Sequence, residues 1–240
     1  MAGGKRLFER LEAGGCCRGA WLFLGSPDAA EVLGLAGFDA LIIDHEHSPG
    51  GIETAVHQMR AMRSVGDATI LARLGSNDPA AIKRLLDCGA EGLLLPNVES
   101  AAEARAFVAA CRYPPKGRRG AHFTVSRASG WGFHSDACYR DAETLFLAAM
   151  IESIEGVKAI PEIARVDGLS MLFTGPLDLS GSIGRMGLWR DPEVLALIRE
   201  AESATLASGL PLGGALMPGE DAQDYFARGY RFVKIGRAHV

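Results

Sequence analysis

The stretch TILARLGSNDPAAIKRLLDCGAEGLLL, residues 69–95, holds one full repeat of the chain's architecture. Its opening TILAR and closing GLLL are short and almost wholly apolar rather than alternating, as expected of parallel strands covered on both faces. Between them, Asp78 followed by Pro79 marks a helix start: the aspartate can accept from free N–H groups, and proline is tolerated in the first turn. The helical pattern runs to Asp87, and Cys88-Gly89 supplies the glycine stop. Strand, helix and strand in a run of this length make a βαβ unit.

Working outward, the unit recurs. Apolar runs lie at residues 20–24, 40–43, 69–73, 92–95, 147–151, 170–174, 212–216 and 231–235, eight in all. Helical patterns at residues 100–110 and 191–207 open on a capping Ser100 and on Asp191-Pro192, and another covers residues 53–63. Ala36-Gly37 and Ser208-Gly209 read as further helix stops. Strict alternation with eight strands predicts a (β/α)8 TIM barrel filling residues 1–240 as one domain, and about 250 residues is typical of that fold. An open, doubly wound sheet is the alternative, because strand count alone does not close a barrel. The connection over residues 111–143 is long and rich in Gly, Arg and aromatics, so it is expected to cover the site.

Composition removes several function classes. Of 240 residues 48% are hydrophobic and 22% charged, the net charge is -4, and no basic stripe with interleaved aromatics occurs, which argues against nucleic acid as a partner. Apolar runs such as residues 92–96 and 145–151 are too short to span a bilayer, so no membrane partner is expected. The opening MAGGKR lacks the apolar stretch of a signal peptide. The five cysteines, an odd number without metal-type spacing, fit reduced thiols and a cytoplasmic protein.

In a barrel of this kind reactive groups gather at the carboxyl ends of the strands. The second run is followed by Asp44-His45-Glu46-His47 and the third ends in Arg73; the fifth is followed by Glu152 and the sixth by a segment ending in Asp178. Two carboxylates, an arginine and a histidine pair on one rim suit Mg²⁺ or Mn²⁺ chemistry, with about four octahedral positions left for substrate and water. Each residue also has a plainer reading: a solvated loop for the histidines, a structural ion pair for Arg73, and helix caps for Glu152 and Asp178. A zinc site would need a third protein ligand, which the sequence does not single out. His57 falls within a helix as a surface or core residue, and His122 and His134 fall in the long connection. Gly213-Gly214 is a weak candidate for a phosphate cradle. Of the lysines only Lys234 lies in an expected strand, which disfavours Schiff-base chemistry.

The chain resembles the HpcH/HpaI aldolase family of metal-dependent, class II pyruvate aldolases, which is related to the citrate lyase β chains. The likeness rests on GFDALIIDHEH at residues 37–47, IKRLLDCGAEG at 82–92, CRYPPKGRRG at 111–120, Glu152-Ser153, and FTGPLDLS at 173–180 followed by Ile183-Gly184. The resemblance implies a barrel of the phosphoenolpyruvate/pyruvate type that cleaves a 4-hydroxy-2-oxo acid to pyruvate and an aldehyde. It makes His47 the general base, Arg73 the enolate-stabilising group and Asp87 an acid that raises the basicity of the histidine. Glu152 and Asp178 would hold a divalent metal (Mg²⁺, Mn²⁺ or Co²⁺), and the backbone of Gly175, Pro176, Leu177 and Asp178 would receive the substrate carboxylate. Members commonly carry Gln two residues before the metal Glu; Met150 stands there in this chain, at the substrate side. A CoA-thioester lyase of the same superfamily is the alternative enzyme, with Arg118, Arg119 and Arg127 as candidates for holding the nucleotide. A pyruvate- or oxalate-binding homologue without turnover is the non-enzymatic one.

The family's final helix, which packs against a neighbouring subunit in a homo-oligomer such as a hexamer, has no counterpart after the eighth run. Residues 235–240, IGRAHV, are moreover the translation in one frame of a widely used sequencing adapter, ATC GGA AGA GCA CAC GTC TGA. The expectation is that residues from about Lys234 to Val240 are not native and that assembly is altered.

Overall fold

Each apolar run becomes a strand backed by a helix in the computed structural model, which describes residues 3–235. Helix α1 (Gly3–Glu12) comes first, then β1 (Cys17–Leu22), α2 (Pro27–Leu35), β2 (Ala40–Asp44), α3 (Ile52–Val65), β3 (Thr69–Arg73), α4 (Pro79–Cys88) and β4 (Gly92–Leu95). There follow α5 (Ala101–Cys111), α6 (Ser135–Asp141), β5 (Phe146–Ile151), α7 (Ile154–Ile163), β6 (Met171–Thr174), α8 (Pro176–Ser182), α9 (Pro192–Ser208), β7 (Leu212–Ala215), α10 (Ala222–Ala227) and β8 (Tyr230–Lys234). Neighbouring strands pair in parallel, and β1 pairs with β8 through Cys17 and Phe232, so the sheet closes into a barrel rather than staying open.

The two-residue period of the strands sorts the core into an inner and an outer layer. Ala40, Ile42, Leu71, Leu94, Ala148, Met150, Phe173 and Phe232 fill the barrel, while Leu41, Ile43, Ile70, Ala72, Leu93 and Leu147 pack outward on the helices. Helix α1 was not expected from the sequence. Its Leu7 and Leu11 join the inner cluster, and its start is tied to the barrel by Gly3 N–H donating to Glu91 Oε1 (3.1 Å) and the Thr69 hydroxyl donating to Gly3 O (3.1 Å). It thus plugs the amino-terminal mouth and leaves the opposite rim open for chemistry.

The expected punctuation is in place. Asp78 accepts from Ala80 and Ala81, Ser100 from Glu103 and Asp191 from Glu193, and Gly89 and Gly209 take the left-handed conformation that ends α4 and α9. The first strand is displaced from its expected bounds: it begins at Cys17, and the apolar Phe23 and Leu24 lie beyond its end, Leu24 on the surface. Hydrophobicity there continues past the pairing with β2, so the apolar run overshot the strand.

The connection over residues 111–143 does not cover the carboxyl rim. It packs along α4 and at that helix's far end: Arg119 pairs with Asp87, Arg127 Nη1 donates to the Cys88 carbonyl, and Cys138, Asp141 and Ala142 line a small cavity with Leu86, Ala90 and Glu91. Its length serves the outside of the barrel. None of the five cysteines is paired, and among the described residues no helix is long and apolar enough to cross a membrane. Among those residues no helix follows β8, and the adapter-like residues 236–240 lie outside them.

Candidate active site

Asp44 and Arg73 are cross-strand neighbours in the β2–β3 register, and both follow the inward-facing positions of their strands. Arg73 Nε donates to Asp44 Oδ1 at 2.7 Å and Nη2 to Oδ2 at 2.8 Å, a two-point pair at 1% and 6% exposure. The Trp21 indole, from β1, lies 4.4 Å from the guanidinium carbon. Burial works against the charge on Arg73, but Asp44 above all, then Glu46 and Glu152, hold it protonated more firmly than a free guanidinium. The same Asp44 carboxylate accepts the backbone N–H groups of Glu46 (3.1 Å) and His47 (3.3 Å). One buried acid therefore fixes both the arginine and the turn that carries the histidine.

His47 stands at the open rim with its side chain 64% exposed, and its Nε2 lies 3.6 Å from Glu46 Oε2. Glu46 also takes Arg73 Nη1 at 2.9 Å. Burial pushes the Glu46 carboxyl above its ordinary range, Arg73 and His47 pull it back, and Asp44 and Asp178 push it up again. His45 points elsewhere. Its Nε2 is buried without a hydrogen-bond partner beside a groove lined by Ile52, Leu74 and Arg84, outside the barrel, and burial lowers its proton affinity against the pull of Asp44.

Glu152 follows β5 and continues the inward register of Phe146, Ala148 and Met150. Its carboxyl is pushed up to about 7 by burial; the Asn97 N–H, 2.9 Å from Oε2, opposes this, Asp178 and Glu46 add to it, and Arg73 opposes it again. Asn97 reaches Glu152 from a left-handed backbone (φ 46°), a conformation asparagine tolerates better than most residues. Gly175 caps α8 directly against Glu152. Asp178, in the first turn of α8, brings the second carboxylate into the same field.

Glu152, pushed up in part by the charge of Asp178, and Asp178 itself are two oxygen donors that fit a hard divalent cation, which would relieve the repulsion on Glu152 and take its other ligands from substrate and water. Among the described residues no three His, Cys, Asp or Glu side chains converge as a metal site, so the His-x-His zinc alternative finds no ligand set there. Within the segment expected to meet a substrate carboxylate, the Gly175 N–H is already given to Ile151 O (3.1 Å) and Pro176 has none. That leaves the first-turn N–H groups of Leu177 and Asp178, which have no acceptor within the helix. Met150 is buried one inward position below Glu152.

Other expected residues lie apart. Asp87 sits near the last residue of α4, paired with Arg119 Nη2 at 2.6 Å. A ten-residue helix is about 15 Å long, and α4 runs away from the rim, so one chain does not bring Asp87 to His47. Arg119 and Arg127 are committed to α4, which removes them as nucleotide-binding candidates; Arg118 is exposed on the same connection. His57, His122 and His134 are exposed away from the rim. The space a phosphate would need at Gly213 and Gly214 is taken by Met171 and Tyr230. Lys234 ends β8 and is buried, whereas Lys5, Lys83, Lys116 and Lys158 are exposed. Residues the sequence did not single out are Trp21, Asp44, Glu46 and Asn97; only Asp44 and Glu46 had a signal, as members of the acid-histidine motif.

Comparison with known proteins shows what the whole chain is similar to. Residues 18–239 match the family described as HpcH/HpaI aldolase/citrate lyase. A hydroxypyruvate/pyruvate aldolase of Chromohalobacter salexigens is 40% identical over 91% of this chain and 85% of its own length. A 4-hydroxy-2-oxo-heptane-1,7-dioate aldolase of Klebsiella pneumoniae is 40% identical over 95% and 86%. The crystal structure of an HpcH/HpaI aldolase/citrate lyase family protein from Burkholderia cenocepacia superposes with a TM-score of 0.92 at 32% identity, covering 96% of this chain and 92% of that one.

Proposed function

Since the chain belongs to the HpcH/HpaI aldolase/citrate lyase family, we propose that it is a class II aldolase that cleaves a 4-hydroxy-2-oxo acid to pyruvate and an aldehyde. The observation that carries this reading is the meeting of Arg73, held protonated by Asp44, with the Glu152–Asp178 pair on the carboxyl rim. Glu152 and Asp178 would hold Mg²⁺, Mn²⁺ or Co²⁺, and that ion, when bound, supplies Lewis-acid stabilisation of charge on the 2-oxo group.

The chain's own residues account for the remaining steps. The Leu177 and Asp178 N–H groups orient the substrate carboxylate at the start of α8. His47 accepts the proton of the 4-hydroxyl, and the electron pair of that O–H bond becomes the aldehyde carbonyl as the C3–C4 bond breaks. The electrons of the broken bond move onto the 2-oxo oxygen, where the fixed positive charge of Arg73 stabilises the enolate. Protonation at C3 then gives pyruvate. Met150, in place of the family's common Gln, supplies no hydrogen bond to the substrate side and shifts the preferred aldehyde half. A homo-oligomer is part of the reading: the role the resemblance gives Asp87 could be filled only by a second copy, because α4 carries Asp87 to the opposite end of its own barrel. Measuring pyruvate released from a panel of 4-hydroxy-2-oxo acids, with and without divalent metal, tests the proposal.

A further inference from the structure

Glu46 is the one rim carboxylate to which the reading above gives no task. Its surroundings are costly for an acid. The groups that face it are Arg73 from β3, Asp178 from α8, and Asp44 and His47 from its own segment, with Glu152 at the end of β5 also within its field. Two of these attract it and three repel it. Asp44 already pairs Arg73 Nε and Nη2 and ties down the turn, so the fold does not need a second acid, while Arg73 Nη1 is left for Glu46. An acid kept where burial pushes up its proton affinity, among other carboxylates, is a mark of function rather than of stability.

We propose that Glu46 is a positioning residue that couples the base to the oxyanion-stabilising arginine, by holding Arg73 Nη1 at 2.9 Å and lying 3.6 Å from His47 Nε2. The inference rests on the proposed aldolase reading. Arg73 is then held on three sides, by Asp44 at Nε and Nη2, by Glu46 at Nη1 and by the Trp21 face, so its charge is fixed where the enolate forms. His47, which is mostly exposed, gains from the same carboxylate a preferred ring orientation toward the substrate proton. The opposite end of the barrel keeps Asp87 engaged with Arg119, so within one chain Glu46 is the acid that meets His47.

The test compares the parent protein, Glu46→Gln and Glu46→Asp in the full chain, with two readouts. The first is the NMR titration of the His47 ring, identified by its loss in His47→Gln. Glu46→Gln should move the His47 ring titration to lower pH, because the ring loses the carboxylate beside it. Glu46→Asp, which keeps the charge one methylene further back, should restore part of that shift. The second readout is the pH profile of kcat in the metal-loaded enzyme. Glu46→Gln should reduce the maximum by roughly 10-fold or more and move the acid limb to lower pH, with thermal stability nearly unchanged. An unmoved His47 titration and an unmoved acid limb would overturn the proposal, whether or not turnover falls. His47→Gln in parallel separates the two layers: if it turns over like the parent, the assignment of the base has failed, whatever Glu46 does.

Discussion

A β-carbon placed on Gly175 would lie 2.5 Å from Oε1 and 2.8 Å from Cγ of Glu152. Gly175 itself has φ -106°, which any residue adopts, so the glycine is there for space and not for backbone freedom. Gly175→Ala should therefore fold and displace the Glu152 carboxylate. Its affinity for Mn²⁺, followed by calorimetry, should fall about 10–100-fold, as when other residues that orient a metal ligand are changed. Unchanged affinity would mean that Glu152 does not hold the ion from this position.

Asp44 and Arg73 form one unit. Asp44→Ala leaves a buried guanidinium without its main partner and should cost about 3–5 kcal/mol in urea unfolding. The double change with Arg73→Ala should cost clearly less than the sum of the two single changes, because the second removes the orphaned charge. Additive losses would show that the pair is not coupled.

The two histidines of the motif should separate. His47→Ala is expected to reduce turnover by about 10²–10⁴-fold, the usual contribution of a general base. His45→Ala should leave turnover near the parent value, because His45 faces the outer groove by Arg84. The reverse ranking, measured by steady-state kinetics, would move the base to His45.

These residues mark how far the sequence could be read. The strands β2, β3 and β4 fall within a residue of their expected bounds because caps and glycines punctuate them, and Arg73, Glu152 and Asp178 were legible as polar groups at the ends of apolar runs. Local pattern carries that information. The Asn97 contact depends on a left-handed turn meeting a strand 55 positions away, and Trp21 looked like ordinary core until the barrel closed over Arg73. Asp87 lies away from His47 within one chain for a related reason. Its motif follows the family, but a helix that runs down from the rim sends its last turn to the far end. The connection over residues 111–143 was misread because length signals a role without saying which face of the barrel it lies on.

Metal binding should depend on pH through Glu152. Its carboxyl titrates at about 7 in the folded, metal-free protein, against an ordinary value of 4.5. The folded state takes up a proton between those values, so the group's contribution to stability is fully present below 4.5 and is lost as pH rises through about 7. A cation needs the ionised form and acts in the opposite sense. Mn²⁺ affinity should be about tenfold weaker near pH 6 than on its plateau near pH 8, and added Mn²⁺ should raise the melting temperature more at the higher value. An affinity flat across this window would remove Glu152 from the ligand set.

The most direct test of the aldolase account is pyruvate release from 4-hydroxy-2-oxo acids by metal-stripped protein, before and after divalent metal is restored, and by protein first treated with pyruvate and borohydride and then freed of both. Turnover should vanish on chelation, return with Mg²⁺, Mn²⁺ or Co²⁺, and be indifferent to borohydride. Turnover that survives chelation and is lost on borohydride treatment, with label on the buried Lys234, would contradict the account and replace the metal with a lysine imine.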